Sequence, residues 1–195
     1  MRASTRRELV AGPAGRIECA VDAPDGEAKG TVLIAHPHPQ FGGTLDNKVV
    51  QTLARAFVEL GYESWRPNFR GIGESEGSYD EGKGEVDDLF AIHQKIRPAV
   101  LAGFSFGAAM QAMLAARVGA QRLVLVGVAV TNFKVPPVPA GTLMIHGELD
   151  ETIPLAAVLD WARPQELPVT LVPGADHFFH RKLPTLRGIV TAFWK

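Results

Sequence analysis

Short apolar runs alternate with amphipathic stretches along most of the chain. The runs at residues 31–35 (TVLIA), 98–102 and 122–126 are apolar almost throughout, as expected for strands that are buried on both faces. The stretches at 46–60 and 85–96 place apolar residues on one side at helical spacing. This alternation predicts an α/β fold, in which a mostly parallel sheet of about eight strands carries helices on both faces.

The ends of these elements carry turn and capping residues. Residues 12–15 (GPAG) form a turn that suits an antiparallel hairpin between strands at 7–11 and 16–21. Asp46 is a candidate N-cap for the first helix, and Gly61 is a candidate stop. The other predicted elements are strands at 62–67, 142–146 and 168–172 and helices at 108–117, 154–162 and 183–194.

Length and composition are typical of one domain with a substantial core. The chain has 195 residues, of which 46% are hydrophobic, so we expect residues 1–195 to form a single domain. A formal net charge of -1 and a pI near 6.6 give no electrostatic reason to expect a nucleic acid or an acidic membrane surface as partner. A small molecule is the expected ligand.

The N-terminal segment and the cysteine content bear on the compartment. The first ten residues (MRASTRRELV) are charged and lack an apolar leader core, and no apolar run reaches the length of a membrane span. Cys19 is the only cysteine, so no intrachain disulfide can form. It alternates with Ile17 and Val21, which predicts a buried strand thiol. Together these features predict a soluble cytoplasmic protein.

The pattern GxSxG occurs twice, around Ser75 and around Ser105. A nucleophile elbow needs a buried strand that enters a sharp turn and leaves it as a helix. Ser105 has this context, because an apolar run precedes it and the helix-forming stretch at 108–117 follows it. Acidic residues flank Ser75, and the sequence after it is typical of a loop. Negative charge beside a forming oxyanion would oppose catalysis, so we predict Ser105 as the nucleophile and Ser75 as a surface-loop residue.

A serine hydroxyl needs a base to take its proton and a carboxylate to orient that base. In enzymes with a GxSxG elbow on such a sheet, the acid and then the base follow the nucleophile along the chain. The candidate bases are therefore His177 and His180, and His177 is preferred because it follows the last predicted strand directly. Asp150 is the preferred acid in the segment after the strand at 142–146, with Glu148 as the alternative.

Five segments together resemble the α/β-hydrolase superfamily. GFSFG around Ser105, HGELDETIP around Asp150 and PGADHFF around His177 look like its nucleophile, acid and base segments. AHPHPQFGGT at residues 35–44 resembles the oxyanion loop, and PNFRGIGESEG at 67–77 resembles the DxRGxGxS loop. The chain looks most similar to small capless members, namely dienelactone-hydrolase-like proteins and simple carboxylesterases.

Two departures from the family pattern bear on the substrate. Dienelactone hydrolases proper use cysteine as nucleophile, so serine at position 105 argues against their substrate. Asn68 replaces the usual aspartate of the DxRGxGxS loop.

The resemblance implies a role for each matching residue. Ser105 would attack the acyl carbon, His177 would move the proton to the leaving group, and Asp150 would hold the imidazole. The oxyanion would accept hydrogen bonds from the backbone N–H groups of Phe106 and of His38.

The choice of His38 within the oxyanion loop depends partly on its prolines. Pro37 and Pro39 have no N–H, so fewer residues of that loop can donate a backbone hydrogen bond. Gln40 and Phe41 remain alternatives to His38.

A metal site is the rival interpretation of the same loop. His36 and His38 form an HxH pair, as at the start of the HxHxDH metallo-hydrolase pattern, but Gln40 and Phe41 follow where further ligands are needed. We therefore expect no metal and no cofactor.

The predicted function is hydrolysis of small carboxylic esters, or of thioesters, through an acyl-enzyme. The proline-rich connection at 127–141 is too short for a cap domain, which predicts a shallow, open pocket suited to short acyl groups. Candidate lining residues are the phenylalanines near the site, at positions 41, 104, 106, 178 and 179. The alternative is a non-catalytic protein that binds a small ligand on a hydrolase scaffold. The same triad also serves peptidases and acyltransferases.

Overall fold

A computed structural model describes residues 5–194 and contains one eight-stranded sheet. The strand order is β1-β2-β4-β3-β5-β6-β7-β8. The pairs β1–β2 and β2–β4 are antiparallel, and all other pairs are parallel. The strands are β1 (Arg6–Gly12), β2 (Gly15–Asp22), β3 (Thr31–Ala35), β4 (Glu63–Pro67), β5 (Val100–Phe104), β6 (Leu123–Val126), β7 (Leu143–Gly147) and β8 (Val169–Val172). The predicted α/β class and strand number are confirmed.

Five α-helices cover the two faces of the sheet. They are α1 (Lys48–Glu59), α2 (Lys83–Ile96), α3 (Phe106–Val118), α4 (Leu155–Ala162) and α5 (Leu183–Phe193). Successive residues of β3 point to opposite faces, as the pleat of a strand requires. Leu33 packs in the cluster formed with α2, α3 and α4. Ile34 packs in the cluster formed with α1 and α5. Because both faces are covered, the central strands are apolar without alternation.

The start of α1 differs by one residue from the prediction. The cap is Asn47, whose Oδ1 accepts the backbone N–H groups of Val49 and Val50 at 2.9 and 3.4 Å. Asp46 lies one residue too early, and its carboxylate accepts a hydrogen bond from the Gln51 side chain instead. Asn and Asp are nearly equivalent as caps, so residue preference alone does not distinguish the two positions.

The hairpin that begins the sheet contains the single cysteine. Cys19 is fully buried on β2, and burial raises the pKa of its thiol to about 12. The thiolate is therefore not formed near neutral pH, and the prediction of a buried strand thiol is confirmed.

The carboxyl ends of β3, β4, β5, β7 and β8 lie along one edge of the sheet, so the loops that follow them meet there. The connection between β6 and β7 contains no helix or strand, which agrees with the absence of a cap domain. Within residues 5–194, no helix has the length and apolar character needed to cross a bilayer.

Candidate active site

Ser105 stands in the sharp turn between β5 and α3. Its backbone has φ 55° and ψ −117°, a left-handed conformation that L-residues rarely adopt. Two glycines allow the turn to pack closely: a Cβ on Gly103 would lie 2.5 Å from the Gly107 backbone, and a Cβ on Gly107 would lie 2.4 Å from the Ala35 carbonyl oxygen. The Ser105 N–H donates to the Val126 carbonyl at 2.9 Å. The local sequence thus folds as an elbow that presents the Ser105 hydroxyl.

The His177 ring lies between Ser105 and Asp150. His177 follows β8, and its Nε2 is 3.1 Å from Ser105 Oγ. Its Nδ1 is 2.7 Å from Asp150 Oδ2. All three residues are buried, with exposed fractions of 5 to 8%. The structure therefore brings the three residues together in a continuous series of hydrogen bonds.

The carboxylate of Asp150 is held by the turn that follows β7. Its Oδ1 accepts the backbone N–H groups of Thr152 and Ile153 at 2.9 and 2.8 Å, which leaves Oδ2 for His177. His146, at the end of β7, donates from Nε2 to the Ile153 carbonyl at 3.0 Å and lies 3.7 Å from Asp150 Oδ2. Burial lowers the pKa of His146, so this second imidazole stays neutral.

The alternative acid and base have other partners. Glu148 accepts the Gly174 N–H at 2.7 Å, which fastens the turn after β8. Asp176 does not face the neighbouring His177; its carboxylate contacts His180 Nδ1 at 2.6 Å. The side chains of His180 and Asp176 are 69% and 45% exposed, so this second pair lies at the surface. Neither Glu148 nor His180 contacts Ser105.

The loop after β3 contains candidate backbone donors at His38, Gln40 and Phe41. The Gln40 N–H donates to His38 Nδ1 at 3.3 Å, and the Phe41 N–H donates to the His38 carbonyl at 3.1 Å. Within residues 5–194 no acceptor is found for the His38 N–H. Phe106 is the first residue of α3, where a backbone N–H has no partner inside its own helix.

The His36 ring is fully buried, and both of its nitrogen atoms form hydrogen bonds with the backbone. Its Nδ1 donates to the Pro37 carbonyl at 2.6 Å, and its Nε2 accepts the Phe69 N–H at 3.0 Å. Burial lowers the pKa of His36 to about 4. The His38 ring points elsewhere, toward Tyr79, and no group of three metal-ligating side chains occurs in the described part of the chain.

A cavity of about 950 Å³ opens beside Ser105. Its apolar lining includes Phe106, Val86, Met113, Phe133 and Ile153, and its polar lining includes His38, Tyr79, Asn132, Lys83 and Lys134. This volume lies near the upper end of the range for small-molecule sites. The loop after β4 and the connection after β6 both contribute lining residues, and the volume exceeds what a short acyl group needs.

Only two of the five candidate phenylalanines line the cavity, namely Phe41 and Phe106. Phe104 and Phe178 pack against the His177 ring at centroid distances of 4.9 and 5.1 Å. Phe179 is fully buried in the core. Some of the five candidates therefore line the cavity, and the other three pack against His177 or in the core.

Ser75 lies in a loop as predicted, but not at the surface. It is only 6% exposed. Its Oγ accepts the Glu18 N–H at 2.9 Å and donates to the Asn68 carbonyl at 2.8 Å. The Asn68 side chain joins this network, with Nδ2 donating to Glu18 at 2.7 Å and Oδ1 accepting the Leu45 N–H. The second serine therefore fastens the loop to β2.

Tyr79 and Phe133 are lining residues that the sequence patterns did not indicate. Tyr79 follows β4, and Phe133 follows β6. Both therefore lie beyond the carboxyl ends of parallel strands, where ligands bind in sheets of this kind. This topological rule could have indicated both residues from the sequence.

Comparisons with known proteins extend over nearly the whole chain. No protein-family model matches it. An uncharacterized protein of Rickettsia prowazekii (strain Madrid E) is 30% identical over 193 residues, covering 88% of this chain and 81% of the relative. A solved α/β serine hydrolase without a lid, from Xanthomonas campestris, is 38% identical with a TM-score of 0.90, covering 99% of this chain and 94% of the other. An α/β serine hydrolase homologue from Coxiella burnetii is 37% identical with a TM-score of 0.89, covering 98% of each.

Proposed function

The chain belongs to the α/β serine hydrolases without a lid, and on that basis we propose that it cleaves small carboxylic esters through an acyl-enzyme formed on Ser105. The observation that carries the proposal is the hydrogen-bond series from Asp150 through His177 to Ser105, which ends beside the cavity. Thioesters undergo the same acyl transfer, so they fall within the proposed substrate class.

Acylation begins with proton transfer from Ser105 to His177. The Ser105 Oγ attacks the acyl carbon while His177 Nε2 takes its proton. The imidazolium keeps its Nδ1–H on Asp150 Oδ2, whose negative charge stabilises it. His177 then donates the proton to the departing alkoxide, and the acyl group remains on Ser105. A water activated by the same imidazole releases the acid and restores the serine.

The developing oxyanion needs donors that are already in place. We assign this role to the backbone N–H groups of Phe106 and His38. The support for His38 is that Gln40 and Phe41 use their N–H groups within the loop. Neither donor requires a side chain, so replacing either residue would not remove its N–H.

The cavity favours an acyl group with an apolar body. Phe106, Val86 and Met113 contribute apolar surface next to Ser105. The volume of about 950 Å³ also accommodates acyl groups longer than acetyl. We therefore expect the preferred acyl chain to be of medium length, and a panel of p-nitrophenyl esters from acetate to decanoate would measure the preference.

Labelling with a fluorophosphonate, followed by peptide mass analysis, tests the proposal. We expect one phosphonyl adduct, on the peptide that contains Ser105, and parallel loss of ester hydrolysis. A matched control is Ser75→Ala, which should label like the native protein. An adduct on Ser75, or no adduct together with tight binding of a small ligand, would refute the proposal and favour the non-catalytic alternative.

A further inference from the structure

Tyr79 lines the cavity beside Ser105, and its ring packs near the side chains of the two residues proposed as backbone donors. Its ring lies 4.9 Å from the His38 ring and 6.2 Å from the Phe106 ring. Its hydroxyl is 3.2 Å from His38 Nε2. The mechanism described above does not use this hydroxyl, although Tyr79 lines the same cavity as Ser105, Phe106 and His38.

The hydrogen bonds of His38 determine the direction of the Tyr79 proton. His38 Nδ1 accepts the Gln40 N–H, so the proton of the neutral ring resides on Nε2. Nε2–H therefore donates to the Tyr79 oxygen, and Tyr79 must donate its own proton to another group. Within residues 5–194 no acceptor for that proton is found. The Tyr79 O–H is thus a donor available to a molecule in the cavity.

The electrostatic surroundings maintain this arrangement. Burial lowers the pKa of His38, which keeps its ring neutral and Nδ1 an acceptor. Burial, with Glu85 and Glu81 nearby, raises the pKa of Tyr79, so the phenol keeps its proton. Both groups therefore hold the required protonation states at neutral pH.

The loop around Tyr79 is fixed by groups outside the cavity. The N–H of the next residue, Asp80, donates to the fully buried Glu85 at 3.0 Å, and the Asp80 carboxylate accepts the Gly84 N–H at 3.1 Å. The Gly82 N–H donates to Glu85 at 2.8 Å. The phenol is therefore presented by a braced segment, as preorganised donation requires.

We propose that Tyr79, oriented by His38, donates a hydrogen bond to the acyl oxygen of the substrate as that oxygen gains negative charge. This inference rests on the proposed function, because it adds a side-chain donor to the two backbone donors. Tyr79 would be a catalytic residue, and the His38 ring would be a positioning residue that acts through it.

The test compares Tyr79→Phe with Tyr62→Phe. Removing a donor to the oxyanion should lower kcat for a p-nitrophenyl ester roughly 10²-fold and leave KM nearly unchanged. The rate of fluorophosphonate labelling at Ser105 should fall in parallel, because the probe also places an oxygen there. Tyr62 precedes β4 at the opposite edge of the sheet and packs against Phe57, so its variant should match the native enzyme.

A double-mutant cycle with His38→Phe tests the positioning role. Because the His38 ring acts only through the Tyr79 hydroxyl, the double variant should lose no more kcat than Tyr79→Phe alone. Additive losses would refute the coupling. Unchanged kcat in Tyr79→Phe, with native labelling of Ser105, would refute the inference alone, whereas an unlabelled native protein would refute the proposed function and this inference together.

Discussion

The two GxSxG segments of this chain share a pattern and differ in where the backbone bends. In the elbow, Ser105 itself has a positive φ of 55°. In the loop after β4, Ser75 has no positive φ, and the glycines on either side bend instead, Gly73 with φ 57° and Gly77 with φ 85°. The elbow therefore projects its serine from the turn, whereas the loop keeps its serine in ordinary backbone.

The hydroxyl groups of the two serines differ in the same way. Ser75 and Ser105 are almost equally buried, at 6% and 8% exposure, so burial does not separate them. Both hydrogen bonds of the Ser75 hydroxyl are structural, to Glu18 and Asn68. The Ser105 hydroxyl contacts His177 and faces the cavity. Hydrogen-bond partners, and not accessibility, therefore distinguish a structural serine from a candidate nucleophile.

The largest expected effect comes from replacing each of the two serines, Ser105 and Ser75, with alanine, which removes the hydroxyl. Ser105→Ala should lower kcat for a short-chain p-nitrophenyl ester by at least about 10⁴-fold, because the variant lacks the oxygen on which the proposed acyl-enzyme forms. Ser75→Ala should keep near-native kcat but lose roughly 1–3 kcal/mol of unfolding free energy, since the buried Glu18 N–H loses its acceptor. Urea denaturation and steady-state kinetics measure the two effects, and retained activity in Ser105→Ala would contradict the distinction.

The flanking glycines give the second largest expected effect. Gly107→Ala places a Cβ 2.4 Å from the Ala35 carbonyl, and separating α3 from β3 should cost at least about 3 kcal/mol. Gly77→Ala, in the loop copy, has a left-handed φ and a Cβ 2.8 Å from that of Ala14, so we expect a loss of about 1–2 kcal/mol.

A third glycine controls for the effect of alanine itself. Gly188 lies in α5 with open space around its Cβ position, so Gly188→Ala should stabilise the protein by up to about 1 kcal/mol. Thermal and urea unfolding of the three variants give the ranking. Equal losses in Gly107→Ala and Gly77→Ala would show that the two copies have the same packing requirement.

Local patterns allowed most of the fold to be predicted. Apolar runs bounded by glycine and proline locate the strands to within about two residues, because a strand buried on both faces needs a continuous apolar segment. The choice of Ser105 likewise depended on adjacent residues, the run before it and the helix former after it. Where the determining contacts lie within ten residues of one another, the pattern is sufficient.

Two features that depend on distant contacts were missed by these local patterns. Ser75 was expected at the surface because its neighbours are acidic, yet its partner Glu18 lies 57 residues earlier. Tyr79 lies in a predicted loop, and its contact in the cavity is with His38, 41 residues earlier. Neither separation leaves a local signal, since both contacts arise from strand order.

His36 joins the elbow and the Ser75 loop. Its backbone carbonyl lies beside Gly107, and its ring accepts the Phe69 N–H of the Ser75 loop. Burial lowers the folded pKa of His36 from 6.5 to about 4. As the pH falls, the unfolded chain therefore binds a proton on His36 before the folded protein does. The contribution of the neutral, buried His36 ring to the unfolding free energy is complete above pH 6.5 and is lost as the pH falls toward 4.

The loss amounts to roughly 3 kcal/mol across that range. Unfolding free energies measured by urea denaturation between pH 4.5 and 7.5 should show this slope. His36→Gln should be less stable at pH 7 but show a shallower dependence on pH. An equal slope in native and variant protein would assign the acid sensitivity to other groups.

The smallest expected effect isolates the backbone, by comparing alanine with glycine at each serine position. Ser105→Gly should be more stable than Ser105→Ala by about 1 kcal/mol, because glycine adopts the positive φ of 55° without steric cost. At position 75 the order should reverse, with glycine less stable than alanine by roughly 0.5–1 kcal/mol, because φ is not positive there and glycine adds freedom to the unfolded chain. Both comparisons omit the hydroxyl, so activity and hydrogen bonding do not enter. Urea unfolding of the four variants measures them, and the same sign at both positions would show that the elbow serine is not strained.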